Sequence, residues 1–190
     1  MIIGLTGTIA SGKGTVADFF KKKGFIYFSL SDQLREKVKE MGLPVSRENL
    51  HAIGNKLRKE YGKGVLAELV KEKLTKYGYP DAIIDGIRNP GEIEAVRALR
   101  DFFLIAVDAP AEIRFERIKK RNRENDPHDW DEFLRLDERD KKGCDEWGQW
   151  VSKCIELADF VIINDDSIMN LSTKLEELYK KMVMKISRRS

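Results

Sequence analysis

The sequence predicts an α/β fold in which helices cover both faces of a five-stranded parallel sheet. Two observations carry this. Strand-length apolar runs alternate with helical patterns along the chain, the runs being Ile2–Thr6, Phe25–Leu30, Ala82–Asp85, Phe102–Asp108 and Phe160–Asn164. Alternation of this kind builds parallel sheets. Most of these runs are apolar at consecutive positions, as strands covered on both sides are. The 190 residues suffice for one sizeable core, so a single domain over residues 1–190 is expected. With 42% apolar residues and a net charge of +3, the composition is globular and does not suit a general grip on nucleic acid. No apolar run approaches the roughly 20 residues that span a bilayer. The N-terminus leads straight into a strand, so no signal peptide and no membrane are expected, and the location expected is the cytoplasm. Cys144 and Cys154 lie ten positions apart with no CxxC pairing, which fits reduced thiols there.

In such sheets ligands gather at the carboxyl ends of the strands, so the residues just past each strand hold the chemistry. After the first strand, residues 7–15 read Gly-Thr-Ile-Ala-Ser-Gly-Lys-Gly-Thr, and the helical pattern from Val16 comes next. Strand, glycine-rich loop, lysine and helix are the order of a phosphate-binding loop. Glycines let several N–H groups converge on one point, and the helix N-terminus adds its partial positive charge there. Lys13 adds a full charge that reaches the outer phosphates. Gly7, Ser11, Gly12, Lys13, Gly14 and Thr15 are therefore candidate ATP-binding residues. The usual pattern sets Ser or Thr directly after the lysine as a Mg²⁺ ligand, and here Gly14 stands there. Mg²⁺ is then held by the nucleotide, by water and by a carboxylate from elsewhere.

Past the second strand, Ser31 is the expected cap of a helix over Asp32–Met41, with Arg35 one turn in. Residues 46–77 read as two helices capped by Ser46 and broken near Gly62-Lys63-Gly64, inserted between the second and third strands. Arg58 within them is either a ligand contact or part of a solvated face. His51 has no partner at metal-ligand spacing and receives no role. The third strand delivers Asp85-Gly86-Ile87-Arg88-Asn89-Pro90. A carboxylate closing an apolar strand is costly to bury unless it is used or paired. Beside the phosphate loop, Asp85 can orient the water shell of Mg²⁺. Gly86 permits a tight turn, and Pro90 starts the next helix.

The helix after the fourth strand carries Arg114, Arg117, Lys119, Lys120 and Arg121, with Arg123 beyond. Arginines there offset the charge spread over the oxygens of a transferred phosphoryl group. Asp129 and Glu132 form a capping-box-like start for a helix to about Asp140. Arg135 and Arg139 suit either closure onto a donor or surface ion pairs. Trp130, Trp147 and Trp150 read as packing residues. A last helix runs from Ile168 to about Met184.

These residues carry a resemblance that spans the chain. Gly-Lys-Gly-Thr at positions 12–15 is similar to the loop of the adenylate kinase family. Ser-x-x-Asp-x-Leu-Arg, ending at Arg35, resembles that family's acceptor-phosphate stretch, and Asp85 to Arg88 resembles its Asp-Gly-Phe-Pro-Arg segment with one residue fewer. Arg117-Ile-x-x-Arg121 resembles the start of its lid. The Ala158 to Asn164 stretch is similar to one in dephospho-CoA kinases, as is a short helical lid without a four-cysteine cluster.

The resemblance implies a P-loop NTPase three-layer sandwich, with a helical acceptor lobe over about 31–77 and a lid over about 122–142. It implies ATP as phosphoryl donor and a nucleoside or deoxynucleoside monophosphate as small-molecule acceptor. Lys13, Arg88 and Arg121 would offset transition-state charge, and Asp85 would serve Mg²⁺ through water. Arg117 would pack on the donor adenine, Arg121 would meet its phosphates, and Asn164 would lie in the loop beside its base. Asp32, Arg35, Arg58 and Arg88 make up the acceptor side. Two alternatives stand beside this. A dephospho-CoA kinase would use Asp32 as base toward a ribose hydroxyl, and a nucleotide-gated switch or assembly ATPase would act through a partner protein.

Overall fold

The computed structural model describes residues 1–121, 126–143 and 146–188. Arg123, Cys144 and the first residues of the expected lid lie outside them. The chain alternates strand and helix: β1 (Ile2–Gly7), α1 (Lys13–Lys22), β2 (Ile26–Ser29), α2 (Leu30–Glu40), α3 (Arg47–Tyr61), α4 (Val65–Tyr77), β3 (Ala82–Ile87), α5 (Pro90–Arg97) and β4 (Phe102–Asp108). It continues through α6 (Ala111–Arg121), α7 (Trp130–Lys142), α8 (Val151–Glu156), β5 (Phe160–Ile163) and α9 (Ile168–Ser187). The five strands form one parallel sheet in the order β2-β3-β1-β4-β5.

Successive side chains of a strand point to opposite faces, and here each face has its own core. Ile3, Leu5, Ile83, Phe103, Ile105 and Val107 pack under α1 and α9 with Val16, Phe20, Leu171 and Leu175. Ile2, Ala82, Ile84, Phe102 and Leu104 pack under α2 to α5 and α8 with Leu30, Val38, Leu66, Val70 and Cys154. All six residues of β1 are buried, which explains its unbroken apolar run, whereas the edge strands β2 and β5 are partly exposed. No helix of the described residues is long and apolar enough to cross a membrane.

Two local features differ from the sequence reading. The cap of α2 is Ser29, whose Oγ accepts from the Asp32 N–H, and not Ser31. Ser29 pairs with Asp85 at the end of the sheet, so the chain enters the helix directly with buried Leu30 as its first residue. The third strand continues two residues beyond Asp85. Leu5 pairs with Asp85 and Thr6 with Ile87, which leaves Gly86 as a bulge at φ 86°. An extra residue of this kind re-aims the side chains after it, and here the side chain concerned is that of Arg88. Asn89 then caps α5 in a full capping box with Glu92, with Pro90 in the first turn.

Candidate functional site

The site sits at the carboxyl ends of β1, β3 and β4, where the strand order reverses about β1. Its first part is the loop of residues 8–12. Gly7 leaves β1 at φ 137°, and a Cβ there would stand 1.9 Å from the Val107 carbonyl oxygen of neighbouring β4. Only glycine lets the loop depart this close to the sheet. Gly12 caps α1 at φ 104°, pressed against the Asn164 amide, where a Cβ would lie 2.2 Å from Nδ2. Gly14 is different. It faces open space, and a Cβ at that position would meet no atom within 4 Å. The missing hydroxyl is thus a matter of residue type and not of room. Thr15 is exposed on the same turn.

Lys13 folds over the loop and donates to the carbonyls of Gly7 and Thr8, both at 2.8 Å. Burial, and next the nearby Arg88 guanidinium, lower its pKa to about 8. Ser11 Oγ is buried without a hydrogen-bond partner. The loop is braced from outside by Thr8, which donates to Asp108 at 2.6 Å, and by Asn164 and Arg117. The sequence reading sets Asn164 beside the donor base. The residue is 7% exposed, and its side-chain amide donates to the Ser11 carbonyl at 2.8 Å. Arg117 donates to the same carbonyl and to the Asn164 carbonyl, tying α6, the loop and the end of β5 together.

The second part is the Asp85 carboxylate. Its Oδ2 accepts from the Tyr27 hydroxyl at 2.7 Å, while Oδ1 is buried and unpartnered. Burial, then the Asp85 charge, pushes the Tyr27 phenol well above its ordinary pKa, so the hydroxyl stays a donor. An orphaned buried oxygen next to a phosphate-binding loop fits a hard, oxygen-seeking cation and its water shell, and Mg²⁺ suits this group. The sequence did not single out Tyr27. The sheet register brings it in, because Ser29 pairs with Asp85 and Tyr27 stands two residues back on the same face.

The third part is a cavity of about 300 Å³ between α2, α3 and α7. Leu30, Leu34, Val45, Leu50 and Leu66 are among its lining, and Arg35, Arg47, Arg58, Arg88, Arg121 and Arg139 supply guanidinium groups. Arg88 and Arg121 belong to both halves of the site, lining the cavity and standing close enough to Lys13 to lower its basicity. Arg88 also donates to Gln149 at 2.8 Å.

The guanidiniums are held by carboxylates. Asp140, 4% exposed, accepts from Arg47 at 2.6 Å and Arg88 at 3.4 Å. Its other oxygen and the Arg139 Nε are both buried without a hydrogen bond, 3.7 Å apart. Arg121 grips Asp126 through two nitrogens, and Arg35 pairs with Asp32 on the exposed rim. Asp32 itself does not line the cavity.

Arg58 lines the cavity and does not belong to a solvated face. It is 4% exposed and donates to Glu92 from Nε and a terminal nitrogen, at 3.2 and 2.9 Å. The other Glu92 oxygen accepts from the backbone N–H groups of Arg88 and Asn89. Arg58 therefore fixes the turn that aims Arg88 while lining the cavity itself. Arg47, Asp140 and Gln149 were not singled out from the sequence, because each reaches the cavity from a segment whose docking is tertiary. Arg114 has a similar buried task. It binds Asp137 through two nitrogens and donates to the Ala109 carbonyl, anchoring α7 to α6. Phe115, Trp130 and Phe133 pack beside that anchor with ring centroids 5.3 to 5.5 Å apart.

A family described as AAA domain (AAA_18) matches residues 3–142. A UPF0200 protein of Pyrococcus abyssi is 37% identical over 188 residues, covering 96% of this chain and 97% of its own length. Among solved structures, TT1252 of Thermus thermophilus superposes with a TM-score of 0.59 at 23% identity, covering 98% of this chain and 97% of that one. Shikimate kinase of Aquifex aeolicus does so with a TM-score of 0.53 at 18% identity, covering 97% and 99%. The fold is that of P-loop kinases.

Proposed function

Because the chain belongs to the AAA_18 family of AAA domains and to the UPF0200 proteins, we propose that it is a P-loop phosphotransferase that passes the γ-phosphoryl group of ATP to a nucleoside or deoxynucleoside monophosphate. The observation that supports this most is a pairing. A lysine-bearing phosphate loop stands beside a cavity lined by both guanidiniums and apolar side chains. Such a cavity suits a small molecule with an anionic end, and arginine holds phosphate by its planar fork. The kinase named among the similar folds is consistent with a small-molecule acceptor.

On this reading the loop N–H groups and the α1 N-terminus hold the donor's phosphates. Lys13 moves from the Gly7 and Thr8 carbonyls onto the transferred group. Arg88 and Arg121 exchange their carboxylate partners for phosphate oxygens, so that charge developing between donor and acceptor is offset from both sides. Asp85 would hold Mg²⁺ through water with its unpartnered oxygen, and the metal would supply charge neutralisation on the donor phosphates. An acceptor phosphate needs no general base. The segment from α2 to α4 acts as acceptor lobe and the α7 segment as lid.

A dephospho-CoA acceptor would require a base for the ribose hydroxyl, and Asp32 is held by Arg35 outside the cavity. The test is product identification with ATP and Mg²⁺ against each common ribo- and deoxyribonucleoside monophosphate and dephospho-CoA. Turnover of a monophosphate, reduced at least about 100-fold in Lys13→Ala and Arg88→Ala, is expected. Turnover of dephospho-CoA alone overturns the acceptor assignment. Hydrolysis with no phosphorylated acceptor overturns the kinase reading in favour of a nucleotide-gated switch.

A further inference from the structure

The Asp85 carboxylate is held by an aromatic side chain of the neighbouring strand. β2 runs parallel to β3, with Tyr27 beside Ile83 and Ser29 beside Asp85. Tyr27 therefore stands diagonally across from the carboxylate, within reach of a long side chain. Its hydroxyl donates to Oδ2 at 2.7 Å. The other oxygen, Oδ1, is buried and has no hydrogen-bond partner among the described residues. The ring itself packs against the core under α1 and α9, and the Lys21 ammonium stands 4.3 Å from its centroid. A cation over an aromatic face adds attraction to that burial. The phenol is thus fixed from behind, and it decides which Asp85 oxygen is occupied and which stays open.

What a carboxylate offers a cation depends on this. Ca²⁺ takes many oxygens in flexible geometry and can grip both oxygens of one carboxylate. Mg²⁺ is smaller, demands a near-ideal octahedron and keeps several of its waters. A carboxylate with one oxygen occupied suits the second cation and not the first. Asp85 is also well placed for a cation on donor phosphates. It pairs with Leu5, two residues before the loop leaves the sheet at Gly7, and its charge reaches Lys13. Little else compensates for a missing oxygen. Gly14 brings no hydroxyl to the loop, and no group of three or more His, Cys, Asp or Glu among the described residues could hold a metal ion. The single open oxygen of Asp85 therefore carries more weight here than it would in a cage of ligands.

We propose that Tyr27 makes the site choose Mg²⁺: by occupying one Asp85 oxygen it leaves a single one for the cation's water shell and denies Ca²⁺ a two-oxygen grip. This rests on the ATP and Mg²⁺ part of the reading above and is independent of which acceptor is phosphorylated. Tyr27 is a positioning residue in this role, acting through Asp85 without touching cation or nucleotide. Without the phenol the carboxylate has both oxygens to offer, which favours the cation of looser geometry.

The experiment measures binding and needs no turnover. A fluorescent, non-hydrolysable ATP analogue is titrated onto the full chain in EDTA, in saturating Mg²⁺ and in saturating Ca²⁺. The gain in affinity that each cation brings over EDTA is compared between the wild type, Tyr27→Phe, Asp85→Ala and the double variant. The cation's own grip on the analogue in solution is the same for all four and cancels. In the wild type Mg²⁺ should tighten binding more than Ca²⁺ does. In Tyr27→Phe the Mg²⁺ gain should fall relative to the Ca²⁺ gain by about tenfold or more, as when a group that orients a metal-binding carboxylate is lost, with affinity in EDTA unchanged within about twofold. Adding Tyr27→Phe to Asp85→Ala should change the ratio no further, because the effect runs through the carboxylate. A thermal melt of each variant checks folding, and Tyr27→Met replaces the Phe variant if that one fails to fold. A ratio within about twofold of wild type in the phenol-free variant overturns the proposal alone. So does a wild type that gains as much from Ca²⁺ as from Mg²⁺, or a full-sized shift that persists in the Asp85→Ala background. An equal fall with both cations, or a loss of affinity in EDTA, marks a structural role and overturns it too. No gain from Mg²⁺ in the wild type overturns the underlying metal reading as well.

Discussion

Lys13 shows how much a single side chain's surroundings decide. Its ammonium is enclosed by loop carbonyls and faced by Arg88 and Arg121, and its pKa falls to about 8. Phosphate binds the charged form. The lysine is fully charged well below pH 8 and loses its proton as pH rises through that value. Nucleotide affinity should therefore be flat on the acid side and weaken above about pH 8, by up to about tenfold per pH unit. Titration of a fluorescent ATP analogue across pH 6.5 to about 9.5 measures this. In Lys13→Met the slope should disappear along with most of the affinity. A slope unchanged in that variant would assign the titration to another group. Tyr27 and Asp85 illustrate the same point in reverse. The phenol gives one carboxylate oxygen its hydrogen bond and leaves the other free for chemistry.

At the scale of the element, the turn between β3 and α5 is the piece on which the site depends. The bulge at Gly86 re-aims the chain, Asn89 and Glu92 close a capping box, and Arg58 from α3 locks Glu92 from behind. The two side chains of this pair are 5% and 1% exposed. Removing one partner of a buried pair strands the other charge and costs about 3–5 kcal/mol. Arg58→Ala should lose about that much stability in urea unfolding. Arg35→Ala breaks a rim pair whose side chains are 45% and 55% exposed, and should lose under about 1 kcal/mol. Equal losses would contradict the division between a structural and a ligand-facing arginine. The α6–α7 pair is built on the same plan. Burial alone would raise the Asp137 pKa, but hydrogen bonds from Arg114 and Lys141 outweigh it and hold the carboxyl low. The stabilisation is therefore present above the ordinary carboxylate range and is lost as pH falls below it.

Across the whole molecule, the sheet brings the loop, Asp85 and the cavity arginines to one edge, and α7 lays Asp140 on top of them. Asp140 occupies Arg47 and Arg88, and on the proposed reading a ligand's phosphate takes its place. Each ligand that binds only the folded chain raises its stability, by about 2.7 kcal/mol at a concentration 100 times its Kd. For a chain of this size that is a rise in Tm of roughly 5–11 °C. A non-hydrolysable ATP analogue with Mg²⁺ and the preferred monophosphate should each produce such a shift in a melting experiment. Lys13→Ala should remove chiefly the first and Arg88→Ala chiefly the second. Loss of both shifts in both variants would mean that the two halves of the site do not bind separately.

The sequence by itself determined the sheet, the loop and the alternation of layers. Those depend on local patterns: consecutive apolar residues in β1 and β4, glycines where the backbone turns against a neighbouring strand, and caps such as Ser46 and Asp129. It also marked Lys13, Asp85 and Arg88, because each lies at or just past an apolar strand run that can be located from composition. Only the tertiary structure decided which carboxylate each arginine meets and how deeply the pair is buried. Arg58 and Arg114 look like Arg35 and Arg121 in the sequence, yet the first two are buried against a carboxylate from a distant segment, whereas Arg35 pairs with Asp32 on the rim. Hydrophobic periodicity is a local property of the chain, whereas the fate of a charge depends on which other charges the fold brings within a few ångströms of it.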